Sequence, residues 1–150
     1  MSHGLAGEYH LVSQRLIAAG LRPTRQRLLL GHLLFSGGYR HVTAEALHRE
    51  SKESGTHVSL ATVYNTLHQF ITAGLIKEVT VENGRSYFDT NTESHHHFYN
   101  KETGQLMDIP ASEIGFSQLP CAPDGAAVDS VEVIIRLRGA AAQPAAVYTA

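Results

Sequence analysis

The chain has 150 residues, 43% hydrophobic and 17% charged, with a single cysteine and a net charge of -2. That is room for one ordinary domain or two small ones with a soluble balance, and no apolar run approaches the ~20 residues that span a bilayer. Cys121 alone excludes a disulfide framework and a four-cysteine zinc site, and Met1 to Glu8 does not read as a secretory signal, so a cytoplasmic location is expected.

Glu8 to Ala19 has helical spacing, with Leu11, Leu16 and Ile17 on one side and Gly20 as its stop. Leu21-Arg22-Pro23 is a connector, because the residue before proline is driven out of the helical region. Thr24 is placed to cap a second helix to Phe35, with Leu30, Leu33 and Leu34 as its apolar stripe and Gly37-Gly38 beyond it. Thr43 caps a third helix to about Glu53, with Glu45 in its first turn. Ser59 opens a fourth, on which Leu60, Val63, Leu67, Phe70 and Ile71 share one face. Ala61, Thr62, Asn65 and Gln69 share the other, and Gly74 follows the end. Ile76 to Val81, Asn83-Gly84 and Arg85 to Asp89 read as strand, two-residue turn and returning strand. Three helices, a fourth with a polar outer face, and a hairpin make a winged helix-turn-helix.

Residues 1–90 are thus expected to be a DNA-binding domain and 91–94 a polar hinge. An α/β dimerisation and ligand-sensing domain over 95–139 and a flexible tail over 140–150 complete an α+β chain. In the sensing domain, strands are expected at His95 to Tyr99, Gln105 to Ile109 and Val128 to Leu137, and a short helix within Pro110 to Gln118. The charge divides along the same line, +2 over residues 1–90 and -4 over 91–150, which suits a nucleic-acid reader joined to a different module.

A helix reads the major groove through small, hydroxyl or amide side chains near its N-terminus. Thr62 and Asn65 meet that description, and Asn65 has the geometry to pair with adenine. Tyr64, at the stripe's edge, offers its ring to a thymine methyl or its hydroxyl to a phosphate. Arg22, Arg25, Arg27 and the wing's Arg85 are candidate phosphate or minor-groove contacts, giving salt-dependent affinity rather than sequence choice.

Ten histidines are unusual for this length, and three are consecutive, His95-His96-His97. On a strand His95 and His97 share a face while His96 points oppositely. Two imidazoles so spaced can converge on one ion, with Asp89 at the wing's end and His41, in the loop before the third helix, as further donors. Nitrogen and oxygen ligands without thiolate suit iron(II), manganese(II) or zinc(II), and His95, His96 and His97 are also candidate axial ligands for haem. An ion held by all four residues would fix one arrangement of reader and hinge, and so bias a dimer's half-site spacing. His3, His10, His32, His48, His57 and His68 read as ordinary surface or core residues, and Cys121 as an unremarkable thiol.

Together these residues resemble the ferric uptake regulator family. The resemblance rests on Leu21-Arg22-Pro23-Thr24-Arg25-Gln26-Arg27, on Ser59-Leu60-Ala61-Thr62-Val63-Tyr64, and on the histidines followed by Gly104-Gln105-Leu106-Met107-Asp108-Ile109. It implies a homodimeric repressor on an inverted-repeat operator, with Tyr64 and Thr62 reading DNA and His41, Asp89, His95 and His97 holding a regulatory metal. The family's structural-zinc cysteines are replaced by Asn100 and Thr103, and Ser94 and His96 do not reproduce its other regulatory site. Within the family this pattern is similar to the iron response regulator branch, which implies haem as a signal opposing DNA binding. A peroxide sensor, or a manganese or zinc regulator, are alternatives of the same family. From another class, a small metallo-hydrolase lacks an HExxH helix, an activated serine and a Gly-rich phosphate loop.

Overall fold

The structure, a computed structural model, describes residues 3–139 and divides into two compact units, Met1–Thr92 and Glu93–Ala150. In the first unit the elements are α1 (His3–Ala18), α2 (Arg25–Phe35), β1 (His41–Val42), α3 (Ala44–Glu53), α4 (Leu60–Thr72), β2 (Lys77–Thr80) and β3 (Ser86–Asp89). Helix starts follow the caps: Thr24, Thr43 and Ser59 each sit in extended backbone and accept the N–H of the residue three positions on. At the end of α4, Gly74 adopts φ +75°, while its N–H reaches the Ile71 carbonyl and the Leu75 N–H reaches that of Phe70. Both bonds satisfy carbonyls the helix leaves open.

The four helices enclose a core of Val12, Leu16, Leu30, Leu34, Leu47, Val63, Leu67 and Phe70, closed at the sheet by Ile76 and Phe88. Removing such surface from water stabilises the fold by about 1.5–3 kcal/mol per large side chain. Two expectations for α1 need correction. It begins earlier than Glu8, and Leu11 and Ile17 are 67% and 61% exposed, whereas Val12 and Leu16 are buried. The rotation has a visible cause in α2: Gly31 leaves a notch in which an added Cβ would lie 2.7 Å from Val12 Cγ1. On α2 the buried stripe is Leu29, Leu30 and Leu34, with Leu33 only half-buried.

The wing forms as a type I′ turn. Asn83 (φ 57°, ψ 31°) and Gly84 (φ 70°) occupy the two left-handed positions, and the Arg85 N–H reaches the Glu82 carbonyl. β3 is the central strand of an antiparallel sheet in the order β1-β3-β2. β1 was expected to be loop; its two residues pair His41 with Asp89 and Val42 with Phe88. A two-residue strand carries no periodicity to read.

The second unit holds β4 (His95–Asn100), β5 (Leu106–Pro110) and β6 (Ile134–Leu137) in the order β5-β4-β6. β4 pairs antiparallel with β5 and parallel with β6. The expected helix within Pro110 to Gln118 is only a 3-10 turn, Ala111–Glu113, because β5 runs on through Pro110. The expected strand from Val128 is confined to its last four residues, and Val128 itself is exposed. The expected tail over 140–150 lies outside the described residues.

Candidate metal centre and nucleic-acid interface

On β4 the alternation holds. His95, His96 and His97 are 5%, 4% and 0% exposed, with His96 directed away from the other two. His96 Nδ1 accepts the Val133 N–H at 3.1 Å, and its ring meets Phe116 edge-on. His95 Nδ1 lies 2.7 Å from the Glu93 carbonyl oxygen, and His97 Nδ1 lies 2.8 Å from Glu132 Oε1. Carbonyl and carboxylate oxygens only accept, so each Nδ1 carries a proton and Nε2 is the nitrogen left to ligate an ion. The two Nε2 atoms stand 3.0 Å apart, and Asp108 Oδ1 lies 3.2 Å from one and 3.3 Å from the other. Three electron-pair donors therefore converge, and a cation is what such a convergence accommodates. Two imidazoles and a carboxylate, without thiolate, fit a divalent ion of the manganese, iron and zinc group.

In the first unit, Asp89 is fully buried on β3, and its Oδ2 lies 3.2 Å from His41 Nε2 on the paired strand. Asp89 Oδ1 accepts the Asn91 N–H at 2.9 Å, which fixes the carboxylate's orientation. Just beyond, the Arg40 N–H reaches Thr90 Oγ1 and the Thr90 N–H reaches the Arg40 carbonyl, so this end of the β1–β3 ladder, where His41 faces Asp89, is closed by two further bonds. Among the described residues, His10, His32, His48, His57 and His68 join no group of metal-ligating side chains.

Asp108 was not singled out from sequence, though the signal was present. A hairpin turning at Asn100 to Gly104 sets His97 opposite Asp108. Glu132 had no such signal, because it arrives through the parallel strand that follows it. Where a paired-cysteine motif would stand, Asn100 is buried. Its Oδ1 accepts the N–H groups of Glu102 and Thr103, and its Nδ2 donates to the Gly139 carbonyl. A side-chain amide thus ties the β4–β5 turn.

The candidate reading surface lies at the start of α4. Asn65 is exposed and Thr62 half-buried, with Thr62 Oγ1 2.9 Å from the capping Ser59 Oγ. Tyr64, also half-buried, donates its hydroxyl to Glu45 Oε1 on α3 at 2.7 Å. That bond holds the Glu45 carboxyl below its ordinary value, helped by a backbone hydrogen bond and by the charge of Arg85, and it raises the Tyr64 phenol. Arg22, Arg25 and Arg85 are exposed. Arg27, half-buried, donates at the surface through Nε and Nη2 to Gln69 Oε1 and through Nη1 to the Arg22 carbonyl, bracing α2 against α4.

Comparison with known proteins places this geometry among relatives. Residues 18–136 match the model of the Ferric uptake regulator family. The chain is 34% identical over 103 residues to the Ferric uptake regulation protein of Pseudomonas aeruginosa, spanning 68% of this chain and 77% of that one. It is also 34% identical over 91 residues to the Peroxide-responsive repressor PerR of Staphylococcus aureus, 61% of each chain. Its fold superimposes on the Pseudomonas aeruginosa ferric uptake regulator solved with manganese at a TM-score of 0.68 and 26% identity, covering 86% of this chain and 98% of that one.

Proposed function

The chain belongs to the ferric uptake regulator family of metal-responsive transcription regulators, which are not enzymes, and from that premise we propose that it is a homodimeric, iron-responsive repressor of an inverted-repeat operator. The observation that carries the proposal is the meeting of His95 Nε2, His97 Nε2 and Asp108 Oδ1. In this reading His41, Asp89, His95 and His97 are the ligand set that the sequence resemblance implies, and Asp108 is added to it. A bound divalent ion would supply positive charge and directional bonds at facing lone pairs. The protein's own residues do the rest: Glu93 and Glu132 orient the two imidazoles, and the Asn91 N–H orients Asp89.

On the DNA side, Thr62, Tyr64 and Asn65 read base edges in the major groove, each good contact contributing about 1–3 kcal/mol of discrimination. Arg22, Arg25 and the wing's Arg85 contact the phosphate backbone. No helix among the described residues is long and apolar enough to cross a membrane.

The test measures operator affinity with iron(II) or manganese(II), after chelation, and with haem. The proposal expects affinity to rise with metal and fall on chelation, and His97→Ala to abolish the difference. Equal affinity in all conditions would defeat it. Haem, implied by the resemblance as a regulatory ligand through His95, His96 and His97, would have to reach rings at most 5% exposed. The metal is therefore the preferred signal and haem the competing arm. Similarity to a peroxide-responsive repressor supports a second reading. Mass spectrometry after peroxide exposure of the iron-loaded protein, seeking an added oxygen on His41, His95 or His97, separates it.

A further inference from the structure

We propose that Glu132 is a positioning residue that sets His97 in the tautomer able to bind a metal; the inference rests on the metal-binding reading above. Glu132 immediately precedes the residues that join β4 to β6, and three hydrogen bonds tie this point to the histidine strand. The His97 N–H reaches the Val133 carbonyl at 3.0 Å, and the Val133 N–H reaches His96 Nδ1 at 3.1 Å. The third joins His97 Nδ1 to Glu132 Oε1 at 2.8 Å. The two bonds of Val133, one to the His97 backbone and one to the His96 ring, fix where residue 132 sits, and the carboxylate fixes which nitrogen of His97 carries the proton.

The choice matters because His97 is fully buried and a competing arrangement is within reach. With the proton on Nε2, the ring would donate to Asp108 Oδ1, 3.3 Å away, or to His95 Nε2, 3.0 Å away. Each of those bonds spends the ligand nitrogen on a proton. Without an acceptor at Nδ1, that competing tautomer would also avoid leaving a buried N–H unmatched. The Glu132 carboxylate tips the balance: it accepts from Nδ1–H, so the Nε2 lone pair stays aimed at the same point as those of His95 and Asp108. His95 reaches the same tautomer through a backbone carbonyl, which no substitution at Glu93 removes. His97 therefore depends on one replaceable side chain.

The test uses the full-length chain in two measurements. Nitrogen-15 spectra of the metal-free protein report the His97 tautomer, and manganese(II) titration followed by the paramagnetic signal of the free ion reports affinity. The wild type is expected to show Nδ1–H. Glu132→Gln, whose amide oxygen still accepts, is expected to keep that tautomer and bind close to wild type. Glu132→Ala is expected to shift His97 toward Nε2–H and to lose about 10–100-fold in manganese(II) affinity. An Nε2–H tautomer in the wild type, or an alanine variant binding as tightly as the wild type, would overturn the proposal. If Glu132→Ala fails to fold, the wild-type tautomer and the glutamine variant still decide it. A wild type that binds no manganese(II) yet shows Nδ1–H would sink the metal-binding reading while leaving the tautomer assignment standing.

Discussion

Replacing Asn100 by alanine tests the claim that an amide does the work of a structural metal in the β4–β5 turn. The side chain is 1% exposed and makes three hydrogen bonds, from the Glu102 N–H at 2.9 Å, from the Thr103 N–H at 3.2 Å, and to the Gly139 carbonyl at 2.9 Å. At a net contribution of roughly 1 kcal/mol each, alanine should cost about 3 kcal/mol. With a urea slope of about 1–2 kcal/mol/M, the unfolding midpoint should fall by roughly 1.5–3 M at fixed protein concentration. Thr103→Ala is the control. It removes only the exposed bond from the Gln105 N–H at 3.3 Å and should stay within about 0.5 kcal/mol of wild type. Circular dichroism across a urea series reads both. Because no zinc holds the turn, a zinc chelator should leave the wild type folded, with the midpoint moving only by what binding of the regulatory ion contributes. An Asn100→Ala loss under about 0.5 kcal/mol, or a wild type that unfolds on chelation, would refute the reasoning.

Three further outcomes follow. On α1, Leu16→Ala should cost about 2–5 kcal/mol while Leu11→Ala stays near neutral, because the first side chain is fully buried and the second mostly exposed. Thermal unfolding of the two variants separates the observed packing face from its alternative. For the Tyr64–Glu45 pair, Glu45 is lowered chiefly by the Tyr64 hydrogen bond and Tyr64 is raised by the same bond. Its contribution is therefore lost in acid, as pH falls through the lowered carboxyl value, and lost in strong alkali, as pH rises through the raised phenol value, and is retained across the neutral window. In the phenolate difference spectrum against Tyr64→Phe, Tyr64 should titrate above an ordinary tyrosine and return toward it in Glu45→Ala; an unchanged titration would count against the contact. Finally, Asp108→Ala should weaken manganese(II) binding more than His96→Ala does, since Asp108 Oδ1 lies 3.2 Å and 3.3 Å from the two Nε2 atoms while His96 faces the opposite side and bears on the ligands only through the Val133 N–H.

Most of the first unit was legible because its signals are local. A capping hydroxyl, a glycine after the last turn and an Asn-Gly pair each act within four residues, and Thr24, Thr43, Ser59, Gly74 and Asn83-Gly84 all behave as their chemistry dictates. The facing of His95 and His97 was legible for the same reason, since strand alternation needs no distant partner. Distant partners decided the rest. Whether α1 buries Leu11 or Val12 depends on the notch at Gly31, on another helix. β1 exists only because β3 offers His41 and Val42 a partner. The third strand of the second unit is cut short because pairing with β4 begins at Ile134, opposite His97, rather than where the apolar alternation begins. Glu132 reaches His97 across 35 residues of sequence, and Arg27 reaches Gln69 across 42.

The central claim is that buried nitrogen and oxygen lone pairs on β4 and β5 form a site for a divalent cation. Anaerobic equilibrium dialysis of the metal-free protein against iron(II), with X-ray absorption on the loaded sample, tests it most directly. The account predicts a single saturable class of ion with a nitrogen and oxygen shell, lost in His95→Ala and His97→Ala. Iron(II) that fails to bind, or that binds unchanged in both variants, would contradict it.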